Sequence, residues 1–130
     1  MTALTQPNGS LTWFKRVMWL GIIANFALAL ISIAMPEKVL ALLQLPAATP
    51  LVWPRFACFL LILMSLFYVA AARDPVRNSY AASMAVVARF GGVAFFAFVG
   101  GNYILFGLFD LVFGLPQGLL LLALRRRGGN

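Results

Sequence analysis

Histidine is absent from this sequence of 130 residues, cysteine occurs once, and three residues carry an acidic side chain. Without histidine, the chain supplies no imidazole ligand for haem, zinc, copper or non-haem iron. It also lacks the base of a Ser-His-Asp or Cys-His catalytic group. The single cysteine, Cys58, allows neither an internal disulfide nor an iron–sulfur cluster. We therefore expect that the chain is not an enzyme, that it has no catalytic residue or metal site, and that it binds no cofactor alone.

Hydrophobic residues, by contrast, make up 63% of the chain, whereas ordinary globular domains are roughly 45–50% apolar. One small core cannot bury that much apolar surface, so lipid must solvate much of it. Four stretches are long enough to cross a bilayer, which takes about 20 apolar residues. They are residues 13–35, 53–72, 80–99 and 103–124. Because backbone groups in lipid must be paired within the segment, the sequence predicts an all-α membrane protein with a bundle of four transmembrane helices. The tails are residues 1–12 and 125–130.

The first stretch begins in the manner of a secretory signal peptide, with Lys15 and Arg16 ahead of an apolar run. The small residues Ser32-Ile33-Ala34 resemble a cleavage site. The apolar run is longer than the roughly 7–15 residues of a signal peptide. We therefore interpret it as the first span.

The segment from Pro36 to Pro46 is predicted to form a short interfacial helix between the first two spans. Proline suits the first helical position, and Glu37 suits the positive end of the helix dipole. Its apolar content favours a position at the membrane surface or over the mouth of the bundle. The link Gly100-Gly101-Asn102 is so short that spans three and four must be antiparallel neighbours.

Basic residues predict the orientation of the spans. One side of a four-span chain carries Lys15, Arg16, Arg73, Arg77, Arg125, Arg126 and Arg127, and the other side carries Lys38 and Arg55. Because cytoplasmic loops are enriched in lysine and arginine, we expect both termini to be cytoplasmic, in a bacterial inner membrane.

The net charge of +7 would indicate nucleic acid in a soluble protein. Here the charges lie at the ends of apolar segments, so the expected partners are membrane lipid and other membrane subunits, and not nucleic acid. We expect the triplet Arg125, Arg126 and Arg127 to anchor anionic lipid.

Three polar side chains lie inside the predicted spans, where burial in lipid is costly. Asn25 and Arg89 are near the middle of spans one and three, and Asp110 is in the outer half of span four. Arg89 and Asp110 differ in depth by about 7 Å, which a long arginine side chain can bridge, so they are predicted to form an ion pair. Arg55 is a second possible partner for Asp110, and Tyr68 of span two is a further candidate. The group is either a structural pin, a site for a ligand, quinone or proton, or a contact with a partner chain.

Small and polar residues also align on one face of each span, which favours close helix packing with polar groups bonding across. These residues are Gly21, Asn25 and Ser32; Cys58, Ser65, Tyr68 and Ala72; Ala81, Ala85, Ala88 and Gly92; and Gly107, Asp110, Gly114, Gln117 and Gly118.

The order of short motifs along the chain resembles the DoxX-like group of small four-helix bacterial inner-membrane proteins. The motifs are Pro36 to Pro46, Trp53-Pro54-Arg55-Phe56, Ser65-Leu66-Phe67-Tyr68, Arg73-Asp74-Pro75, Arg89-Phe90-Gly91-Gly92 and Phe109-Asp110. That group takes its name from a subunit of a quinone-linked sulfur oxidoreductase. The resemblance implies an accessory role near a respiratory enzyme, and it implies no catalytic residue.

The leading functional hypothesis is therefore a non-catalytic accessory or anchoring subunit of a larger, quinone-linked membrane complex. A small oligomeric transporter is an alternative, although small exporters of this length carry their key acid in the first span, where this chain has Asn25. A third hypothesis is a lipid- or quinone-binding membrane protein or enzyme that uses Asp110, Tyr68, Arg55 and Arg89.

Overall fold

The computed structural model describes residues 9–128, and these residues form five α-helices with no strand. The helices are α1 (Gly9–Ala34), α2 (Pro36–Leu42), α3 (Val52–Arg73), α4 (Ser79–Val99) and α5 (Ile104–Gly128), with a 3₁₀ helix at Gly101–Tyr103. The predicted all-α class is confirmed.

Helices α1, α3, α4 and α5 are each long and apolar enough to cross a membrane. Even α4, the shortest with 21 residues, is about 32 Å long, against roughly 30 Å of hydrocarbon. The chain is a multi-pass membrane protein.

The first and last helices, α1 and α5, extend beyond the spans predicted for them. Residues 9–12 and 125–128, assigned to the tails from the sequence, continue α1 and α5. Three arginines in the last turn of α5 favour this extension, because cations stabilise the negative end of the helix dipole. Residues 1–8 and 129–130 of the predicted tails lie outside the described residues.

The four spans form a closed ring in which neighbours in sequence are neighbours in space. Helix α1 packs against α3, α3 against α4, α4 against α5, and α5 against α1. Thus α1 and α4 face each other across the ring. The predicted antiparallel contact of α4 and α5 is confirmed. Gly100 and Gly101 both have positive φ angles, 76° and 58°, a conformation that glycine adopts readily and that lets the chain reverse here.

The short helix between the first two spans is present, but it ends earlier than predicted. Pro36 occupies its first turn as expected, and the helix ends at Leu42 instead of continuing to Pro46. The backbone turns left-handed at Gln44, with φ 55°, which ends helices. Asn102 Nδ2 donates to the Leu43 carbonyl oxygen at 3.1 Å, so the end of α2 is held to the link between α4 and α5. The position of α2 relative to the membrane surface stays a prediction.

The interior of the ring changes in character along its length. A buried apolar cluster fills the end where α1 and α4 begin and α3 ends. Its members are Phe14, Met18, Ile22, Ala71, Ala72, Ala82 and Ala85. Polar side chains occupy the middle, and a cavity lies at the other end, under α2. The candidate site is formed by the middle and the cavity end.

Candidate functional site

Arg89 of α4 lies inside the ring with 4% of its side chain exposed. Its Nη1 donates to Asp110 Oδ1 on α5 at 2.8 Å, so the two residues paired from the sequence are in direct contact. Its Nη2 donates to Asn25 Oδ1 at 3.1 Å and lies 3.4 Å from the Gly21 carbonyl oxygen, both on α1. The arginine side chain therefore crosses the ring to the opposite helix.

Asn25 extends these contacts to α3, the one span that Arg89 itself does not reach. It is 1% exposed, and its Nδ2 donates to Ser65 Oγ on α3 at 2.9 Å. The Ser65 hydroxyl donates in turn to the Leu61 carbonyl oxygen of its own helix at 2.8 Å. Arg89, Asp110, Asn25 and Ser65 thus form one hydrogen-bonded group with a member on every span, which we call the four-helix network.

The network combines one positive and one negative charge with neutral partners. The guanidinium carbon of Arg89 also lies 5.2 Å from the centre of the Phe113 ring and 5.7 Å from that of Phe109, within the range of cation–π attraction. Burying an ion pair is tolerated when both charges are paired and hydrogen-bonded. The arrangement meets that condition in part, because the two charges are paired at 2.8 Å while Arg89 Nε has no hydrogen-bond partner among residues 9–128.

Two glycines make room for the ion pair. A Cβ at Gly92 of α4 would overlap the carboxylate of Asp110, and a Cβ at Gly114 of α5 would lie 2.8 Å from Arg89 Cβ. Real Cβ atoms do not approach other atoms that closely. The stripes of small residues predicted from the sequence therefore act at specific positions, where they let helices carrying polar groups approach each other.

Gln117 of α5 lies beside the network and is 2% exposed. Its Oε1 and the Nε of Arg89 are buried, and neither has a hydrogen-bond partner among residues 9–128. Buried polar atoms usually have partners. The sequence placed Gln117 on the inward face of span four, but not beside Arg89.

Two predicted participants, Arg55 and Tyr68, make no hydrogen bond to the four-helix network among the described residues. Arg55 Nε donates to the Ile33 carbonyl oxygen at 3.2 Å in an exposed position, so the alternative pairing of Arg55 with Asp110 is wrong. The last carbonyls of a helix lack partners within it, and Arg55 satisfies one at the end of α1. Tyr68 is half-buried and packs against the apolar cluster, and it lies close enough to Arg89 and Asp110 to interact electrostatically with both.

Ser65 is the network member that the sequence did not single out as a site residue. It was predicted only as one of several small or polar residues on the inward face of span two. Serine often bonds to a carbonyl of its own helix, so it gives no sequence signal for a partner on another helix. Its contact with Asn25 depends on how α1 and α3 rotate against each other.

A cavity of about 510 Å³ adjoins the network, and we call it the α2 cavity. Its walls come from α1, α3, α4 and α5, and its roof comes from α2 and the loop that follows. Four polar side chains line it, Ser32, Cys58, Tyr103 and Asp110, and the other lining residues are apolar. Ligand sites are typically apolar hollows of roughly 300–1,000 Å³ with a few polar groups. The α2 cavity fits that description.

Asp110 belongs to both the network and the cavity. Its side chain is 20% exposed and forms part of the cavity lining. Its Oδ1 accepts the hydrogen bond from Arg89, whereas its Oδ2 accepts none in the part of the chain that the structure describes. An ionised carboxylate accepts hydrogen bonds and donates none. Oδ2 lies close to Gly92 of α4, and since Asp110 lines the cavity, an unused acceptor adjoins its apolar walls.

Comparison with protein-family models, with curated proteins and with solved structures finds no match to this chain. The resemblance to the DoxX-like group therefore stays a prediction. The functional argument rests on the geometry of the network and the cavity.

Proposed function

We propose that this protein is a membrane-embedded binding protein for an uncharged amphiphile, of the membrane-lipid or quinone class, and that the amphiphile occupies the α2 cavity. One observation carries the proposal. The bundle has a buried apolar cluster at one end, and at the other it contains a partly open, mostly apolar cavity of about 510 Å³. Apolar cavities of this size bind apolar molecules readily.

The lining supports an amphiphile instead of a purely polar ligand. Leu28, Leu61 and Phe106 are among the apolar wall residues, and they offer dispersion contacts to a hydrocarbon chain. The polar groups are few, as expected for a site that orients one head group. The ligand would enter from the lipid phase or past α2.

The geometry of the ion pair disfavours the transporter hypothesis and is compatible with an accessory subunit. Asp110 is paired with Arg89 at 2.8 Å, which disfavours its use as a proton-coupling acid for a cationic substrate. Binding without turnover agrees with the expectation of a non-catalytic chain. The accessory-subunit role stays a prediction, and a ligand-binding chain can serve a larger complex.

Protein purified in mild detergent is expected to retain its amphiphile. Extraction into organic solvent followed by mass spectrometry should recover one molecular class in near-stoichiometric amount. A redox-difference absorption spectrum of the same extract distinguishes a quinone from a lipid. Ala57→Trp, which places an indole at a residue lining the cavity, should lower the recovered amount about tenfold.

Ala94→Trp is the matched control, because Ala94 is exposed on α4 and lies outside the cavity lining. It should leave the recovered amount unchanged. Equal recovery from both variants, or recovery of only the bulk lipid mixture of the membrane, would contradict the proposal.

We also propose that both termini face the cytoplasm of a bacterial cell. The residues that support this orientation share one end of the ring, near the starts of α1 and α4 and the ends of α3 and α5. They are Lys15, Arg16, Arg73, Arg77, Arg125, Arg126 and Arg127. The α2 cavity would then lie toward the periplasmic side.

The orientation is tested with reporters fused after the last residue. A C-terminal green fluorescent protein should be fluorescent, because it folds in the cytoplasm, and a C-terminal alkaline phosphatase should be inactive. The opposite pair of results would reverse the orientation.

A further inference from the structure

We propose that the α2 cavity selects amphiphiles whose head group donates a hydrogen bond, such as an alcohol, over amphiphiles whose head group only accepts one. This inference deepens the proposed function and rests on it. It names the chemistry that the polar end of the ligand must have, and of the two proposed ligand classes it excludes an oxidised quinone, whose carbonyl oxygens only accept hydrogen bonds.

The Asp110 carboxylate, at the inner end of the cavity, favours a head group that donates a hydrogen bond. Arg89 Nη1 lies 2.8 Å from Asp110 Oδ1, and this contact with a permanently charged guanidinium favours the ionised carboxylate. Asp110 Oδ2 accepts no hydrogen bond from the described residues. Since a carboxylate has no proton to donate, a head group that only accepts would place two lone-pair-bearing atoms against each other. A hydroxyl would satisfy the free oxygen.

Among the polar groups that line the cavity, Asp110 is the main determinant of which head group is selected. The hydroxyl of Ser32 both donates and accepts, and the thiol of Cys58 does so weakly, so neither group distinguishes a donating head group from an accepting one. Tyr103 lies seven residues before Asp110, which places it about 10 Å nearer the α2 end. A head group at the floor therefore meets the carboxylate, and a group at the rim meets the phenol.

The charge balance favours an uncharged head group. Arg89 and Asp110 cancel each other's charge within the network. A second charge introduced beside this pair would be buried without a partner of its own, which is costly. The selected class is therefore neutral amphiphiles with a hydroxyl, for example fatty alcohols and monoacylglycerols.

A matched pair of probes tests this selection on the wild-type chain. The probes are a long-chain primary alcohol and its methyl ether, which have similar apolar chains and differ in the donor. Each is titrated into delipidated protein in detergent micelles, and binding is followed by protection of Cys58, which lines the cavity, from a thiol-reactive probe. The alcohol is expected to bind about tenfold more tightly than the ether, or better, because a hydrogen bond to a charged acceptor is at stake.

The outcomes separate the two proposals. If alcohol and ether protect Cys58 with equal affinity, the cavity binds amphiphiles and the donor selection is overturned. If neither probe protects Cys58, the proposed function itself fails.

Two variants then assign the preference to a residue. Asp110→Asn supplies an amide that both donates and accepts, so it should bring the two affinities together, and a preference that persists in this variant overturns the role of Asp110. Ser32→Ala should retain the preference of the wild type. Loss of the preference in Ser32→Ala would assign it to the serine and overturn the inference, even if Asp110→Asn does not fold.

Discussion

Asp110→Leu is expected to destabilise the protein strongly, by about 3–5 kcal/mol, the cost typical of breaking a buried ion pair by removing one partner. The variant leaves the guanidinium of Arg89, which is 4% exposed, with only neutral partners, the Asn25 amide and the Gly21 carbonyl. Arginine cannot lose its proton in a protein. The buried charge therefore persists, and the fold must accommodate it.

Arg89→Leu is expected to cost less, although it removes more hydrogen bonds. It leaves Asp110, which is 20% exposed and lines the cavity. A carboxylate that loses its partner can take up a proton and become neutral. The order of stability should therefore be wild type, then Arg89→Leu, then Asp110→Leu. The double variant should recover a large part of the loss, because it leaves no unpaired charge.

Thermal unfolding in one fixed detergent, measured for all four proteins, gives a double-mutant cycle with its coupling energy. Glu37→Leu is the control, since Glu37 is an exposed acid on α2 and should unfold near the wild-type temperature. If Asp110→Leu unfolds at the wild-type temperature as well, the network does not hold the helices together. Its polar groups would then serve only the ligand.

The second large effect is expected at the glycines beside the ion pair. Gly114→Ala would place a Cβ 2.8 Å from Arg89 Cβ, and Gly92→Ala would place one within the Asp110 carboxylate. Overpacking a closely fitted interior costs about 1–3 kcal/mol, and sometimes more. Gly114→Ala should be the more damaging change, because Arg89 Cβ is close to the backbone and cannot rotate away. The Asp110 carboxylate can rotate, so Gly92→Ala should disturb the ion pair more than the helix spacing.

Gly91→Ala provides a matched control one residue from Gly92. A Cβ at Gly91 would contact nothing within 4 Å, and alanine is favoured over glycine in helices by about 1 kcal/mol. Gly91→Ala should therefore be neutral or slightly stabilising in the same thermal assay. A variant Gly114→Ala that is as stable as Gly91→Ala would show that α4 and α5 are not in such close contact around Arg89.

The predictions for the ion pair and for the glycines both depend on the close contact between α4 and α5. The glycines bring α4 and α5 close enough for Arg89 to reach Asp110, and the ion pair then directs one carboxylate oxygen to Arg89. The other oxygen remains for a ligand in the α2 cavity. A stability defect in Asp110 variants and a change in ligand preference can therefore be separated by measuring both in each variant.

Much of the architecture could be predicted from the sequence alone. Lipid forces backbone groups to pair within each segment, so four long apolar stretches had to become four helices. Charged residues inside such stretches are costly, so Arg89 and Asp110 had to face inward and had reason to meet. The short link at Gly100 required α4 and α5 to be antiparallel neighbours. Each of these conclusions depends on local chain chemistry or on distance along a helix.

The tertiary structure decided what depends on the ring as a whole. Arg89 reaches Asn25 because α4 and α1 face each other across the ring, and Ser65 joins because α3 turns its polar face toward α1. The same packing placed Arg55 on a carbonyl of α1 and away from Asp110. It also left the α2 cavity at the end of the ring opposite the buried apolar cluster. The order and rotation of the four helices follow from many weak side-chain contacts that form together. These contacts cannot be predicted from the sequence of any one helix.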